Sequence, residues 1–320
     1  MANRKSLPRL VVFGDPKKGP VAEAIEEFAK FARGKAQIVA TYCIDNCTAE
    51  SLKKSDFAVV FGGDGSIISA ARNLSDASVP VIGVNLGKLG FLAEFSVQEL
   101  EELFDEIVTG KAPVEKRMML GCRIFDTSKR PKNSNSIAVS QQRGKGQLGP
   151  EKFCSKAVND VYITAGPPFR MIELSLAVDG HPVASCVSDG LIVSTPTGST
   201  AYNLSAGGPI LAGSMEAMVI TPICPHSLSF RPIVISADSV VEVFGVRANR
   251  GTTVSIDGQV SMKLSVDDVV RVEKDSSDFL VVNNPLRTRW GTLATKLSWA
   301  EKPRYAGRPP VRVGQDDISP

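Results

Sequence analysis

The sequence predicts a two-domain protein of the α/β type: an N-terminal α/β domain on a parallel, Rossmann-like sheet, then a β-rich C-terminal domain. Three observations carry this. The first hundred residues alternate short apolar runs with helical patterns. From Arg117 onward, short strands and turns follow one another. The chain has 320 residues, longer than one ordinary domain and shorter than three. Hydrophobic residues make up 43 %, charged residues 22 %, and the mean hydropathy is +0.02, the values of a globular protein with a substantial core.

The elements follow in order. Leu10 to Phe13 is a short buried-strand run, ended by Gly14-Asp15-Pro16. Pro20 opens a helix that keeps Val21, Ile25, Phe28 and Ala32 on one face. Gln37 to Tyr42 is a second strand. Phe57 to Phe61 is a third, apolar on both faces, as a parallel strand under helices should be. Gly62-Gly63-Asp64-Gly65 breaks it, and Ser66 to Leu74 reads as helix. Val79 to Val84 is a fourth strand. Ser96 and Glu99 form a capping box for a helix that turns Leu100, Leu103, Phe104 and Ile107 inward. Strands alternating with helices imply right-handed crossovers.

The character changes at Gly110 to Pro113. Strands are expected at Val158–Thr164, Met171–Val178, Leu191–Val193, Ile233–Ile235, Val240–Phe244, Val254–Ile256, Val266–Val272 and Phe279–Val282. Asp179-Gly180 marks a hairpin. Leu286 to Trp299 reads as a helix with Leu293 and Leu297 on one face. Asp126 to Lys152 carries six basic and two acidic residues among Ser, Asn, Gln and Gly, and reads as a polar surface insertion without a part in the chemistry. The tail from Glu301 is expected to fray.

Charge and composition exclude several classes. A net charge of +3 gives no support for bulk nucleic-acid binding or a membrane-surface anchor. No apolar run reaches the roughly 18 residues that span a bilayer. The basic start Met1 to Leu10 leads into too short an apolar patch for a signal-peptide core, so the chain reads as cytoplasmic. The six cysteines, Cys43, Cys47, Cys122, Cys154, Cys186 and Cys224, are scattered, and the histidines are only His181 and His226. They read as reduced thiols used as small apolar residues, and no metal site is expected from them.

Four stretches could carry chemistry. Gly144, Gly146 and Gly149 spell G-x-G-x-x-G inside the polar insertion, without a buried strand before or a helix after, so the match is a coincidence. Gly62-Gly63-Asp64-Gly65-Ser66 sits at the carboxyl end of a parallel strand, where open α/β sheets bind ligands. Its glycines and the following helix start suit a phosphate chain, and Asp64 could accept the proton of an attacking hydroxyl. The plainer alternative is a tight turn with Asp64 as a helix cap. Asp189 to Tyr202 runs a strand into a loop with five hydroxyl side chains among residues 194–200. These could bind an adenine or ribose, or simply cap a Ser/Thr turn. Thr221 to Pro232 is stiffened by three prolines, and His226 within it reads as a structural hydrogen-bonder.

Taken together these residues resemble the NAD kinases. The diglycine loop is shared with diacylglycerol-type lipid kinases and phosphofructokinases. Gly87-Lys88-Leu89-Gly90-Phe91-Leu92, Asn159-Asp160, Asp189 to Tyr202, Gly207-Gly208-Pro209-Ile210, Pro225 to Ser229 with Arg231-Pro232, and Asp257-Gly258-Gln259 match NAD kinase patterns in the right order. The resemblance spans about residue 8 to 299. It implies transfer of the terminal phosphoryl group of ATP, or of polyphosphate in some members, to the 2′-hydroxyl of the adenosine ribose of NAD. It implies Asp64 as the catalytic residue, Gly62, Gly63 and Gly65 along the phosphates, and Phe91 beside the adenine. Asn159 and Asp160 would bind the adenosine and ribose. Asp189, Thr200, Ala201, Tyr202 and Ser205 would surround the dinucleotide, with Arg170 and Gln259 placed by their distance from these motifs. It further implies Mg²⁺ or another divalent metal with the donor, no dedicated protein metal site, and a homodimer or homotetramer. Val187 replaces the charged or small residue usual two places before the aspartate at 189, which leaves NAD against NADH open.

The expected domains are 1–113 with 286–320 returning to them, and 114–285 with the insertion at 126–152, the active site lying in the cleft between. The alternatives are a diacylglycerol-type lipid kinase, which should lack the 189–202 cluster, and a non-catalytic NAD(P)-binding protein, which needs no carboxylate at 64.

Overall fold

The computed structural model describes residues 7–43, 52, 54–87, 89–129 and 148–299. Cys47, Lys88, Gly144, Gly146, most of the insertion and the tail from Glu301 lie outside them. Met1–Asn284 forms one compact unit and Pro285–Pro320 another.

The α/β domain forms as its pattern dictates. Strands β1 (Arg9–Phe13), β2 (Gln37–Tyr42), β3 (Phe57–Phe61) and β4 (Val81–Val84) are parallel, in the order β2-β1-β3-β4. Helices α1 (Gly19–Phe31), α2 (Asp64–Leu74) and α3 (Val97–Val108) cover both faces. Leu10, Val12, Val59 and Phe61 pack with α1 and α3 on one side, where Phe28 meets Phe61 and Phe104 at ring distances of 5.5 and 5.9 Å. Val11, Phe13, Ala58 and Val60 pack with Ile67, Ala71 and Leu74 of α2 on the other. The Ser96 capping box is complete: Oγ accepts from Glu99 N–H at 3.1 Å, and the Glu99 carboxylate accepts from Ser96 N–H at 2.9 Å. Helix α2 begins two residues earlier than its pattern suggests, because Gly63, in extended conformation, serves as the N-cap.

The change of character after Gly110 is not a break in the sheet. Strand β5 (Val114–Asp126) has 13 residues, and the expected strands at 266–272 and 279–282 are one 15-residue strand, β16 (Asp268–Val282). The local irregularity between Lys274 and Asp278 is what divides its apolar pattern in two. Strand β16 pairs in parallel with β4 at Val281, and antiparallel with β5 along nearly its whole length. The sheet therefore continues through β16 into β13 (Val241–Arg247), β8 (Ile172–Val178) and β9 (His181–Ser188), with β6 (Glu151–Ala157) beside β5. Glu151 and Lys152, read as insertion, belong to β6, and Leu148 packs on Phe125. The Asp179-Gly180 hairpin forms between β8 and β9, both residues at positive φ.

A second, antiparallel sheet has the order β12-β11-β10-β7-β14-β15: Ile233–Ser236, Ala217–Ile223, Gly190–Ser194, Asp160–Thr164, Thr253–Ile256 and Val260–Lys263. It stacks on the antiparallel part of the first sheet around Leu120, Leu174, Val193, Ile220, Val243 and Val272. The expected helix after Leu286 is shorter, α5 (Arg289–Lys296), capped by Thr288 Oγ1 accepting from Gly291 N–H at 3.1 Å.

Ser96→Ala removes one half of the capping box. It should destabilise the protein by about 1 kcal/mol, seen as a lower urea midpoint with an unchanged m-value.

Candidate active site

The diglycine loop lies at the carboxyl edge of the parallel strands, as the βα pattern requires. Gly62 N–H donates to Val84 O at 2.8 Å, which docks the loop on the end of β4. Against it opens a cavity of about 210 Å³ lined by Asp15, Lys18, Gly62, Gly63, Ser66 and Asn85, among others. The lining combines exposed main chain, a hydroxyl and one lysine, a set suited to an anionic group.

Asp64 is the first residue of α2, and it does not cap that helix. Its carboxylate reaches across to the segment after β4. Oδ2 accepts from Phe91 N–H at 2.8 Å, and Oδ1 accepts from Leu92 and Ala93 N–H at 3.0 Å each. The approach is so close that a Cβ at Gly90 would stand 1.9 Å from Asp64 Oδ1, so any side chain here would push the carboxylate off its three donors. A carboxylate offers about four acceptor positions. Three are taken, and the remaining one is on Oδ2.

The second half of the site is built on Asn159 and Asp160, at the start of β7. Their main-chain N–H groups and that of Val158 all donate to Asp257, at 2.7, 3.2 and 3.1 Å. Asp257 sits in the β14–β15 turn, with φ of 52°, and its side chain is fully buried. Arg72 Nη1, from the last turn of α2, completes its shell at 3.1 Å. Arg72 Nη2 donates to Gln259 Oε1 at 2.6 Å, and Gln259 Nε2 donates to Gly65 O at 2.8 Å. Burial pushes the Asp257 carboxyl upward while these donors pull it back. Asp160 is only 3 % exposed, and burial, reinforced by the charge on Asp257, raises its carboxyl to about 7 against the opposing pull of Tyr202 N–H.

The hydroxyl-rich loop divides between scaffold and surface. Ser194, Thr195 and Ser199 are fully buried and spend their hydroxyls on main chain. Thr195 Oγ1 donates to Val158 O at 2.6 Å and accepts from Gly198 N–H at 2.9 Å. A Cβ on Gly198 would stand 2.1 Å from Asn159 O, so glycine here lets the loop rest on the Asn159 main chain. Thr200 Oγ1 donates to Thr197 O at 3.3 Å. Of the two readings left open for these five hydroxyls, the capped turn describes Ser194, Thr195 and Ser199, whereas the Thr197 hydroxyl is buried without a hydrogen-bond partner. What the loop presents is Tyr202, 36 % exposed, its ring edge-on to Tyr162 at 5.0 Å. Asp160, Asp189 and Cys224 lie within electrostatic reach of the Tyr202 hydroxyl.

The structure thus brings together Asp64, Gly65 and Phe91, and links them through Gln259 to Asn159, Asp160, Ala201 and Tyr202. Asp189 and Ser205 are exposed at the ends of β9 and of α4 (Tyr202–Ser205). Arg170 is apart, in the exposed β7–β8 turn, its carbonyl accepting from Asn249 Nδ2 at 2.5 Å. His226 is exposed, and its main-chain N–H donates to Val187 O at 2.9 Å. Sequence reasoning missed Arg72 as a site residue, since nothing local distinguishes one arginine near a helix end. It also missed Asn203, whose buried amide holds Ser199 O, Pro209 O and Thr221 Oγ1. Among the described residues no group of three or more His, Cys, Asp or Glu side chains is placed to hold a metal ion.

The ATP-NAD kinase N-terminal domain model matches residues 20–112, and the ATP-NAD kinase C-terminal domain model matches residues 158–284. The chain belongs to the NAD kinase family. The NAD kinase of Geotalea daltonii is 36 % identical over 295 residues, 90 % of this chain and 96 % of the relative. That of Geobacter sulfurreducens is 40 % identical over 249 residues, 78 % of this chain and 80 % of the relative. Among solved structures, an NAD kinase from Archaeoglobus fulgidus in complex with ATP is 25 % identical with a TM-score of 0.68, over 91 % of this chain and 99 % of that one. Yeast NADH kinase complexed with NADH shares the fold, with a TM-score of 0.76 at 24 % identity over 95 % and 91 % of the two chains. The NAD kinase family match covers both the diglycine segment and the Asn159–Gln259 segment that Arg72 ties together.

The raised Asp160 carboxyl makes a pH prediction. Between about pH 4 and 7 the folded protein keeps a proton on Asp160 that the unfolded chain has released. The contribution of this group to stability therefore falls as pH rises through that window. Asp160→Asn, which cannot ionise, should raise the melting temperature over the parent at pH 8, and the gain should shrink at pH 5. Equal melting curves at pH 8 would contradict the buried ionisation.

Proposed function

We propose that this chain is an NAD kinase that transfers the terminal phosphoryl group of ATP to the 2′-hydroxyl of the adenosine ribose of NAD, giving NADP. The observation that carries this is the Asp64 carboxylate. It sits in the diglycine loop with one acceptor position open on Oδ2, and α2 ties it to Asn159 and Asp160. A diacylglycerol-type lipid kinase would have no use for the Asn159–Asp160 pair or the 189–202 loop. The family match favours the NAD kinase reading.

In this reading the donor phosphates occupy the cavity against Gly62 and Gly63, with Lys18 and the Ser66 hydroxyl as partners. Phe91 lies beside the adenine. Asn159 and Asp160 hold the adenosine and ribose, and Asp189, Thr200, Ala201, Tyr202, Ser205 and Gln259 surround the rest of the dinucleotide, with Arg170 standing apart in the β7–β8 turn. The residues fit a metal carried by the donor rather than a resident one. Asp15 is the one carboxylate in the cavity lining, and Mg²⁺ is commonly held by one or two carboxylates plus substrate phosphates. Such an ion neutralises charge on the transferring group.

Asp64 Oδ2 accepts the ribose 2′-hydroxyl at its open position and orients the oxygen at the γ-phosphorus. As the O2′–P bond forms and the bond to the bridging oxygen breaks, the hydroxyl becomes acidic and its proton passes to Oδ2. The leaving group, ADP, stays on the diglycine loop. Positioning does most of the work, since phosphoryl transfer asks little covalent chemistry of the protein.

We also assign self-association to the β-rich domain. Edge strand β12 exposes Ile233 and Val234, beside an apolar groove of about 250 Å³ lined by Val183, Leu191, Ile220, Phe230 and others.

Mg-ATP and NAD incubated with the protein should yield NADP, read with an NADP-specific dehydrogenase; NADH in place of NAD reports on Val187. Asp64→Asn should lower turnover by about 10²–10⁴-fold. It should also lower the melting temperature, because the new amide presents a donor to the N–H groups of residues 91–93. Near-normal turnover would remove Asp64 from the mechanism. Lys18→Met should raise KM for ATP about tenfold and leave KM for NAD within twofold; an unchanged KM for ATP places the donor elsewhere. Val234→Lys should shift light scattering toward the monomer, and a parent protein that is already a fully active monomer would refute the assembly.

A further inference from the structure

We infer that Arg72 is a positioning residue for phosphoryl transfer: it sets the diglycine helix α2 at a fixed distance and tilt from the Asn159–Asp160 segment. This rests on the NAD kinase reading and adds to it a residue that touches neither substrate.

The geometry is a closed circuit. One turn of the β14–β15 hairpin carries both Asp257 and Gln259. Asp257 binds the main chain of Val158, Asn159 and Asp160 on one side and Arg72 on the other. Gln259 accepts from Arg72 and donates to Gly65 O, beside Asp64. Helix α2 is therefore gripped at both ends by a single turn. Gly65 and Arg72 are seven residues apart, about 10 Å along a helix. One contact would leave α2 free to pivot about that point. Two contacts at separate ends fix its tilt as well as its distance.

Only a planar fork fits. The two terminal nitrogens of Arg72 bond different acceptors at 3.1 and 2.6 Å, a carboxylate and an amide oxygen. An ammonium is a single point and cannot serve both in this geometry. The pair is well shielded, with the Arg72 side chain 15 % exposed and that of Asp257 fully buried, so water does not loosen it. Asp64 and the donor loop ride on the start of α2. The acceptor ribose is held by the segment on the other side of Asp257. A misplacement of about 1 Å between reacting groups can cost about 10²-fold in rate without weakening either ligand alone.

The test separates positioning from binding. Arg72→Met and Arg72→Lys are compared with the parent for turnover at saturating Mg-ATP and NAD. The dissociation constant for NAD is measured by calorimetry without donor, and melting curves report folding. Arg72→Met should lower kcat at least 30-fold while the NAD dissociation constant moves less than threefold. Arg72→Lys keeps a positive charge on Asp257, so it should fold even if Arg72→Met does not, and should lower kcat about 3–10-fold with the same unchanged affinity. A kcat within twofold of the parent in a folded variant overturns the role. So does a kcat loss matched by an equal loss of NAD affinity, which would make Arg72 part of the pocket scaffold. If the parent itself forms no NADP, the NAD kinase reading fails and this role falls with it. If the parent is active and both variants match it, only the role fails.

Discussion

A carboxylate enclosed by protein has to be matched by donors, and two aspartates of this chain meet that demand in the same way. Asp64 binds the main-chain N–H groups of residues 91, 92 and 93, and Asp257 binds those of 158, 159 and 160. In each case a run of three consecutive N–H groups turns toward one side chain. Most of these N–H groups lie outside any helix or strand, Asp160 alone opening β7, and the aspartates supply their acceptors. The irregular segments that build the site take their observed shape around two carboxylates, Asp257 fully buried and Asp64 half-buried. The site and its two aspartates are one structural unit, and charge removal at either position affects shape as well as chemistry.

Strand β16 supplies the larger frame. It is long enough to pair in parallel with β4 and antiparallel with β5 and β13. The carboxyl edge of the parallel strands and β6, which leads into the start of β7, are therefore held by one hydrogen-bonded framework. Short side-chain bridges add to it. Lys156 joins Asp76, after α2, to Asp275 in the irregular stretch of β16, and Asn284 N–H donates to Glu94 at 2.9 Å. The segment that packs over Asp64 is thus tied at one end to the sheet and at the other to the chain leaving β16.

The hydroxyl-rich loop shows how composition alone leaves a role open. A run of Ser and Thr suits a ligand surface and a capped turn alike, and here three of its hydroxyls are buried and bonded to main chain. Their function is to fold a strand end tightly over Asn159, so that Asp160 comes against Tyr202 N–H. In the reading proposed above, the adenosine moiety is held by Phe91, Asn159 and Asp160, and those hydroxyls fold the loop that brings Tyr202 to the same place.

Much of this was legible in the sequence. Apolar runs of both faces fixed the parallel strands, Ser96 and Glu99 the start of α3, and Asp179-Gly180 a hairpin, because each depends on neighbours a few residues away. The diglycine loop and Asp64 stood out for the same reason. The continuity of the sheet through β16 was hidden, since the irregularity near residue 276 splits one strand into two apolar patterns. The partners of Asp64 and the fork of Arg72 were hidden as well. Those contacts join residues 27 to 29 and 185 to 187 positions apart, and no local periodicity encodes them. The sequence by itself determined which elements form and where a phosphate loop must lie. Only the tertiary structure decided which donors satisfy the carboxylates of Asp64 and Asp257, because that balance depends on groups brought together by packing rather than by spacing along the chain.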